Sequence, residues 1–177
     1  MKKLMIAMGV AVLAIATQAA SFNWTTTGTI YTPTSSTTAM SGFTAYLFDQ
    51  SAVSQSTLVE NLRAGGALAD QTFLASTVQT AAKVSASVNA DVTGSVTLYF
   101  AILQDDYVYI SNAKTVTAQA TATANLAFAS QSTSSAKVFD STTAYSTAGW
   151  YQTVPEPTSG LLMLLGMVGL ALRRRRA

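Results

Sequence analysis

Positions 96–111 read VTLYFAILQDDYVYIS, and this stretch decides the fold. Its first half, 96–103, is apolar on both faces, which predicts a central strand that is buried on both sides. A polar turn at 104–106 leads into 107–111, which is again rich in aromatic and β-branched residues. The stretch therefore predicts an antiparallel hairpin at the centre of a β-sheet.

Strict alternation of apolar and polar residues marks the segments on either side of this hairpin. It runs through 84–92 and, over a longer distance, through 116–128, which predicts two half-buried strands. Three other segments, 24–31, 43–48 and 144–152, have strand composition.

One short helix is predicted around position 60. Leu58 and Leu62 share a helical face, and Thr57 and Glu60 have the spacing of a capping box. The glycine pair at 65–66 then ends the run.

Many short antiparallel strands with one helix predict an all-β domain, an antiparallel β-sandwich of jelly-roll or Ig-like arrangement. A closed barrel is the alternative.

The composition of the middle of the chain limits its chemistry. Residues 21–153 contain 42 Ser and Thr among 133 positions, and four basic residues oppose seven acidic ones, a net charge of 4 − 7 = −3. This balance excludes an electrostatic footprint for nucleic acid. The chain has no His and no Cys, which excludes a Ser-His-Asp triad, disulfides and thiolate chemistry.

The N-terminus has the pattern of a secretory leader. Lys2 and Lys3 precede the apolar segment 4–16, and the small residues that follow predict cleavage by signal peptidase after Ala19 or Ala20. Thirteen helical residues span about 20 Å, less than a bilayer core of about 30 Å, so a cleaved signal helix is favoured over a permanent anchor.

The C-terminus has three parts. The extended segment Val154, Pro155, Glu156, Pro157 comes first, because the prolines disfavour helix. The uncharged segment 160–172 follows, which predicts a short transmembrane helix. The run of four arginines then predicts a stop-transfer block on the cytoplasmic side: Arg173, Arg174, Arg175 and Arg176.

This three-part tail resembles the PEP-CTERM sorting domain of exported bacterial proteins. The resemblance implies recognition by exosortase near the Pro-Glu-Pro motif, transient residence in the inner membrane, and release to the cell surface or exterior. It also implies an exopolysaccharide or biofilm setting. The predicted organisation is a leader at 1–20, a β-rich exported domain at 21–153 and a sorting segment at 154–177.

The S-x-x-K motif of penicillin-binding enzymes occurs twice, at Ser111–Lys114 and at Ser134–Lys137. The partner motifs of those enzymes are absent, and chance explains both matches in so Ser-rich a chain.

Some carboxylates could join a Ca²⁺ site, but no calcium-loop spacing supports it. These carboxylates are Asp91, Asp105, Asp106 and Asp140. We therefore expect no catalytic residue, no metal and no cofactor.

Two features of the sequence could form a binding surface. Four threonines at strand spacing could form a flat ladder, although Thr is also the ordinary solvent-facing residue of strands. These are Thr115, Thr117, Thr121 and Thr123. Trp24, Trp150 and seven Tyr could instead line a sugar-stacking platform or fill the core.

The sequence thus favours an exported surface or matrix protein with a structural or adhesive role. A glycan-binding module is one alternative. An extracellular polysaccharide hydrolase is the other, and it would need a carboxylate pair drawn from seven acids. These are Asp49, Glu60, Asp70, Asp91, Asp105, Asp106 and Asp140.

Overall fold

The computed structural model describes residues 19–35, 37–92, 94–119, 122–130 and 148–153. The predicted signal helix and the predicted C-terminal transmembrane helix lie outside these residues. Within the described ranges, no helix has both the length and the apolar composition needed to cross a bilayer.

The described residues form nine strands, one α-helix and one 3-10 turn. The strands are β1 Ala20–Thr26, β2 Phe43–Asp49, β3 Ala75–Gln79, β4 Ser85–Ala90, β5 Gly94–Gln104, β6 Tyr107–Ile110, β7 Lys114–Ala118, β8 Thr123–Phe128 and β9 Gly149–Gln152. The helix α1 is Gln55–Arg63, and the 3-10 turn is Leu68–Asp70.

The strands form two separate sheets. The small sheet has the order β4-β1-β8, and the large sheet has the order β3-β2-β5-β6-β9, with β7 also paired to β5. The predicted central strand is confirmed, because β5 pairs with β2 on one side and with both β6 and β7 on the other. The predicted hairpin joins β5 to β6 through Asp105, whose φ is 51°.

The first hydrophobic layer lies between the two sheets. Strand β1 alternates strictly, and it directs Phe22 and Trp24 inward against Phe100, Phe128 and other core residues. The Trp24 and Phe100 ring centroids are 5.9 Å apart, and those of Phe100 and Phe128 are 5.2 Å apart. This packing is that of a β-sandwich, and the sheets do not close into the barrel alternative within the described residues.

The second hydrophobic layer lies on the other face of the large sheet, where α1 covers it. Leu58, Val59 and Leu62 are buried there with Tyr99 and Val108. This layer explains why β5 is apolar on both faces. The predicted helix is confirmed, but its N-cap is Ser54 rather than Thr57, because the Ser54 side chain accepts a hydrogen bond from the Thr57 amide.

Three other details differ from expectation. The alternating segment 116–128 is not one strand, since β7 belongs to the large sheet and β8 to the small one. The sheets are also not wholly antiparallel, because β1 and β8 run parallel. Strand β3 was not predicted. It is an edge strand with Val78 74% exposed, so it lacks the burial that produces a clear pattern.

Candidate functional site

The described chain ends at Thr153, which the fold holds firmly. Thr153 is 4% exposed, and both its amide N–H and its Oγ1 hydroxyl donate hydrogen bonds of 2.8 Å to the carbonyl oxygen of Asp106. The predicted sorting residues Val154, Pro155, Glu156 and Pro157 lie outside the described residues, as do Arg173, Arg174, Arg175 and Arg176. The body is thus anchored up to the residue that precedes Val154.

The other predicted processing site lies at the start of the fold. Ala19 is exposed, whereas Ala20 is 1% exposed and opens β1, where it pairs with Ala90 of β4. Removal of Ala20 would therefore take away a core residue, but removal of Ala19 would not.

The described S-x-x-K match is not arranged for catalysis. Ser111 is buried, its Oγ accepts a hydrogen bond of 2.8 Å from the Phe100 amide, and it donates to the Asn112 carbonyl at 3.2 Å. Lys114 opens a strand rather than lying one helical turn away. Ser111 instead fixes the break between β6 and β7. The second match, Ser134–Lys137, lies outside the described residues.

The described carboxylates are spread over different elements. Asp105 and Asp106 form the turn at the end of β5, whereas Asp91 precedes the start of that strand. Asp49 Oδ1 accepts hydrogen bonds of 2.8 Å from both the amide and the hydroxyl of Ser51, as a turn residue does. The described residues contain no group of three or more acidic side chains placed to hold a metal ion. Asp140 lies outside them.

The aromatic platform considered from the sequence is not formed by the tryptophans, because both are completely buried. Trp24 lies between the sheets, and the Trp150 Nε1–H donates to the Tyr31 carbonyl at 2.8 Å. Burial also raises the pKa of the Tyr109 and Tyr151 hydroxyls. The two tryptophans therefore belong to the core, as do Tyr99, Tyr109 and Tyr151, and these five side chains do not form an exposed platform.

The threonine ladder is also not one continuous row. Thr115 and Thr117 belong to β7 in the large sheet, and Thr123 belongs to β8 in the small sheet. Thr121 lies outside the described residues. The described threonines therefore belong to two different sheets, whereas the sequence pattern had placed them on one strand.

A different polar surface covers the outer side of the small sheet, and we call it the polar face. It consists of nine outward-facing positions in three cross-strand rows, related by the pairing of β1 with β4 and β8. The rows are Ser21, Asn89 and Thr123; Asn23, Ser87 and Asn125; and Thr25, Ser85 and Ala127. The sequence did not reveal these rows, because the strands that form them lie far apart along the chain.

A groove opens near the turn of the central hairpin, with a volume of about 570 Å³. Tyr46, Leu68, Leu103 and Gln104 contribute to its walls, together with hydroxyl-bearing residues of 32–44. None of its fourteen lining residues is Asp, Glu, Lys or Arg. The Gln104 Oε1 atom is buried without a hydrogen-bond partner. The groove is thus neutral, with mixed polar and apolar walls.

Comparison with known proteins identifies the end of the chain. Residues 153–176 match the model of the PEP-CTERM protein-sorting motif. No curated protein and no solved structure matches the chain, so the β-rich body is not assigned to a family. The motif begins at Thr153, the residue anchored to Asp106. The chain therefore carries a PEP-CTERM protein-sorting motif, and it is an exported protein that exosortase sorts through a membrane-anchored stage.

Proposed function

We propose that the protein is a non-enzymatic component of the cell surface or extracellular matrix, with a structural or adhesive role in an exopolysaccharide or biofilm setting. The observation that carries this proposal is the sorting motif, which starts at Thr153, the last residue of the body that the structure describes. Exosortase would then deliver a compact β-sandwich whose last strand stays paired.

The proposed maturation uses both ends of the chain. Signal peptidase removes the leader after Ala19, since a cut after Ala20 would remove a buried residue of β1. The arginines Arg173–Arg176 hold the C-terminus in the cytoplasm while the protein is anchored in the inner membrane. Exosortase then acts near Val154–Pro157, and the processed body leaves the membrane.

The positions of Asp91 and of Asp105 and Asp106 at opposite ends of β5 favour a non-enzymatic role over the polysaccharide hydrolase. A glycosidase needs two carboxyl groups about 5 to 10 Å apart across a cleft. Asp105 and Asp106 are adjacent turn residues, and Asp91 lies beyond the opposite end of β5. Neither the neutral groove nor the polar face contains an acidic side chain.

The sorting part of the proposal is tested in cells that carry exosortase. Replacement of Pro155, Glu156 and Pro157 by Ala should leave a larger species in the membrane fraction, because the extended segment can then become helical. Fractionation with mass measurement detects this larger species, and the same mass and location as in the parent would contradict sorting at this motif.

The adhesive part of the proposal is tested by comparing matrix retention and surface attachment in cells with and without the gene. Unchanged attachment and matrix mass would contradict it.

A second candidate is the glycan-binding module, which the neutral groove favours. Its volume is that of a small-ligand site, and its uncharged hydroxyl groups suit a neutral sugar. Replacement of Leu103 by Trp should fill the groove and abolish binding of soluble neutral oligosaccharides in calorimetry. Val78→Trp is the matched control, since Val78 is exposed outside the groove. Equal binding by both variants would exclude the groove.

A further inference from the structure

We propose that the polar face of the small sheet is a docking surface for a neutral polysaccharide. The inference rests on the proposed adhesive function and specifies the surface and the chemistry of the contact. It is separate from the groove, which opens beside the turn of the central hairpin.

The composition of the polar face is the first argument. Eight of its nine positions carry a hydroxyl or an amide, the ninth is Ala127, and none is ionisable. The nearest charges along β4, Lys83 and Asp91, come before its first residue and after its last. A charged polymer would thus find no counter-charge on this face, whereas a neutral one loses nothing.

The geometry of the central row is the second argument. Ser87 Oγ donates to Asn23 Oδ1 at 2.8 Å, and Asn23 Nδ2 donates to Asn125 Oδ1 at 3.1 Å. These bonds fix the orientation of the Asn23 amide. An amide nitrogen has two N–H groups. Bonds among the described residues use one of those of Asn23 and none of those of Asn125, which leaves donors for a ligand. Because the side chains are already ordered, binding costs less conformational entropy.

The size and shape of the surface are the third argument. Strands lie 4.7 to 4.9 Å apart and alternate residues about 6.7 Å apart, so the nine positions cover about 10 by 13 Å. Thr123 and Asn125 also line a cleft of about 310 Å³ between β8 and β7. Val116 and Ala124 give this cleft an apolar part, which suits the C–H face of a sugar ring.

A polysaccharide fits this surface better than another protein does. Protein interfaces depend on buried aromatic, aliphatic or Arg anchors. The nine positions of the polar face supply none of these. Sugar hydroxyls both donate and accept hydrogen bonds, and so do the hydroxyls and amides of this face taken together.

The test measures retention of the full-length chain, purified in mild detergent, on swollen cellulose and on cross-linked dextran. The double variant Ser87→Lys/Asn125→Lys places two charges in the central row. It should reduce retention at least tenfold on the matrix that retains the parent. The control Ser76→Lys/Thr80→Lys adds the same charge at exposed positions elsewhere and should stay within twofold of the parent. Asn23→Ala should weaken retention without adding charge.

Melting curves establish that the variants are folded, as expected for exposed sites. Failure of the parent to bind either matrix would overturn the proposal, and so would equal losses in the face and control variants. A parent that is dimeric in sedimentation, with a monomeric face variant and no retention, would assign the face to a second copy and overturn it equally. Because purified full-length protein is used, a negative result leaves the sorting proposal untouched.

Discussion

The outer faces of the two sheets differ sharply. On the large sheet, α1 covers Tyr99, Val108 and their neighbours, so this face is a second hydrophobic layer. On the small sheet, the polar face carries hydroxyls and amides that are exposed or half-buried. The difference shows that the apolar pattern of a strand indicates how many of its faces are covered. A strand that is apolar on both faces lies between two hydrophobic layers. A strictly alternating strand packs one face on a hydrophobic layer and exposes the other to solvent.

The largest expected effect comes from placing a charge on each outer face. Ala101 is completely buried beneath α1, whereas Ala127 is exposed on the polar face. Ala101→Asp should destabilise the protein by more than about 4 kcal/mol, because it buries an unpaired carboxylate. Ala127→Asp should stay within about 0.5 kcal/mol. Urea unfolding measures both, and similar values would mean that the two faces are equally covered.

A smaller effect is expected when α1 loses part of its contact surface. Leu58 is completely buried, so Leu58→Ala should cost about 2 to 5 kcal/mol of unfolding free energy through lost contacts and a cavity. Glu60→Ala, on the exposed side of the same helix, should cost less than about 0.5 kcal/mol. A loss below 1 kcal/mol for Leu58→Ala would show that α1 contributes little to the covered face.

Alkaline pH should weaken both hydrophobic layers. Tyr109 belongs to the layer between the sheets and Tyr151 to the layer under α1, and burial raises the pKa of each hydroxyl. The unfolded chain therefore releases these protons first, near pH 10. Stability is fully present below that pH and falls above it, by roughly 1 kcal/mol at pH 11 from Tyr109. Tyr109→Phe should flatten the fall in melting temperature between pH 9 and 11, and an unchanged slope would count against it.

The smallest expected effect is at the start of α1. Ser54→Ala removes the acceptor for the Thr57 amide and should cost about 1 kcal/mol. Ser54→Asp keeps an acceptor and should restore most of it. Thr57→Ala should cost less than Ser54→Ala, because Ser54 is the N-cap. The reverse order in thermal unfolding would support the capping box at Thr57 and Glu60.

The local patterns were predictable and the long-range pairings were not. The apolar stretch around Phe100 and the Leu58–Leu62 face depend on neighbours in sequence, so the central strand and the helix could be predicted. The pairing of Asn23 with Asn125 spans 102 residues, so no local pattern indicates it. The segment 116–128 alternates throughout, and its division into β7 and β8 depends on which sheet each half joins. The sorting motif was found from sequence because its parts are contiguous.

Strand β9 has a consequence for the timing of export. It is the last element before the sorting motif, yet it contributes Trp150 to one hydrophobic layer and Tyr151 to the other. A chain that crosses the membrane from its N-terminus delivers these residues last. Neither hydrophobic layer is complete until the whole body has left the cytoplasm. The chain therefore stays incompletely folded while it is being translocated. The order of the strands thus delays tertiary closure until the tail reaches the membrane.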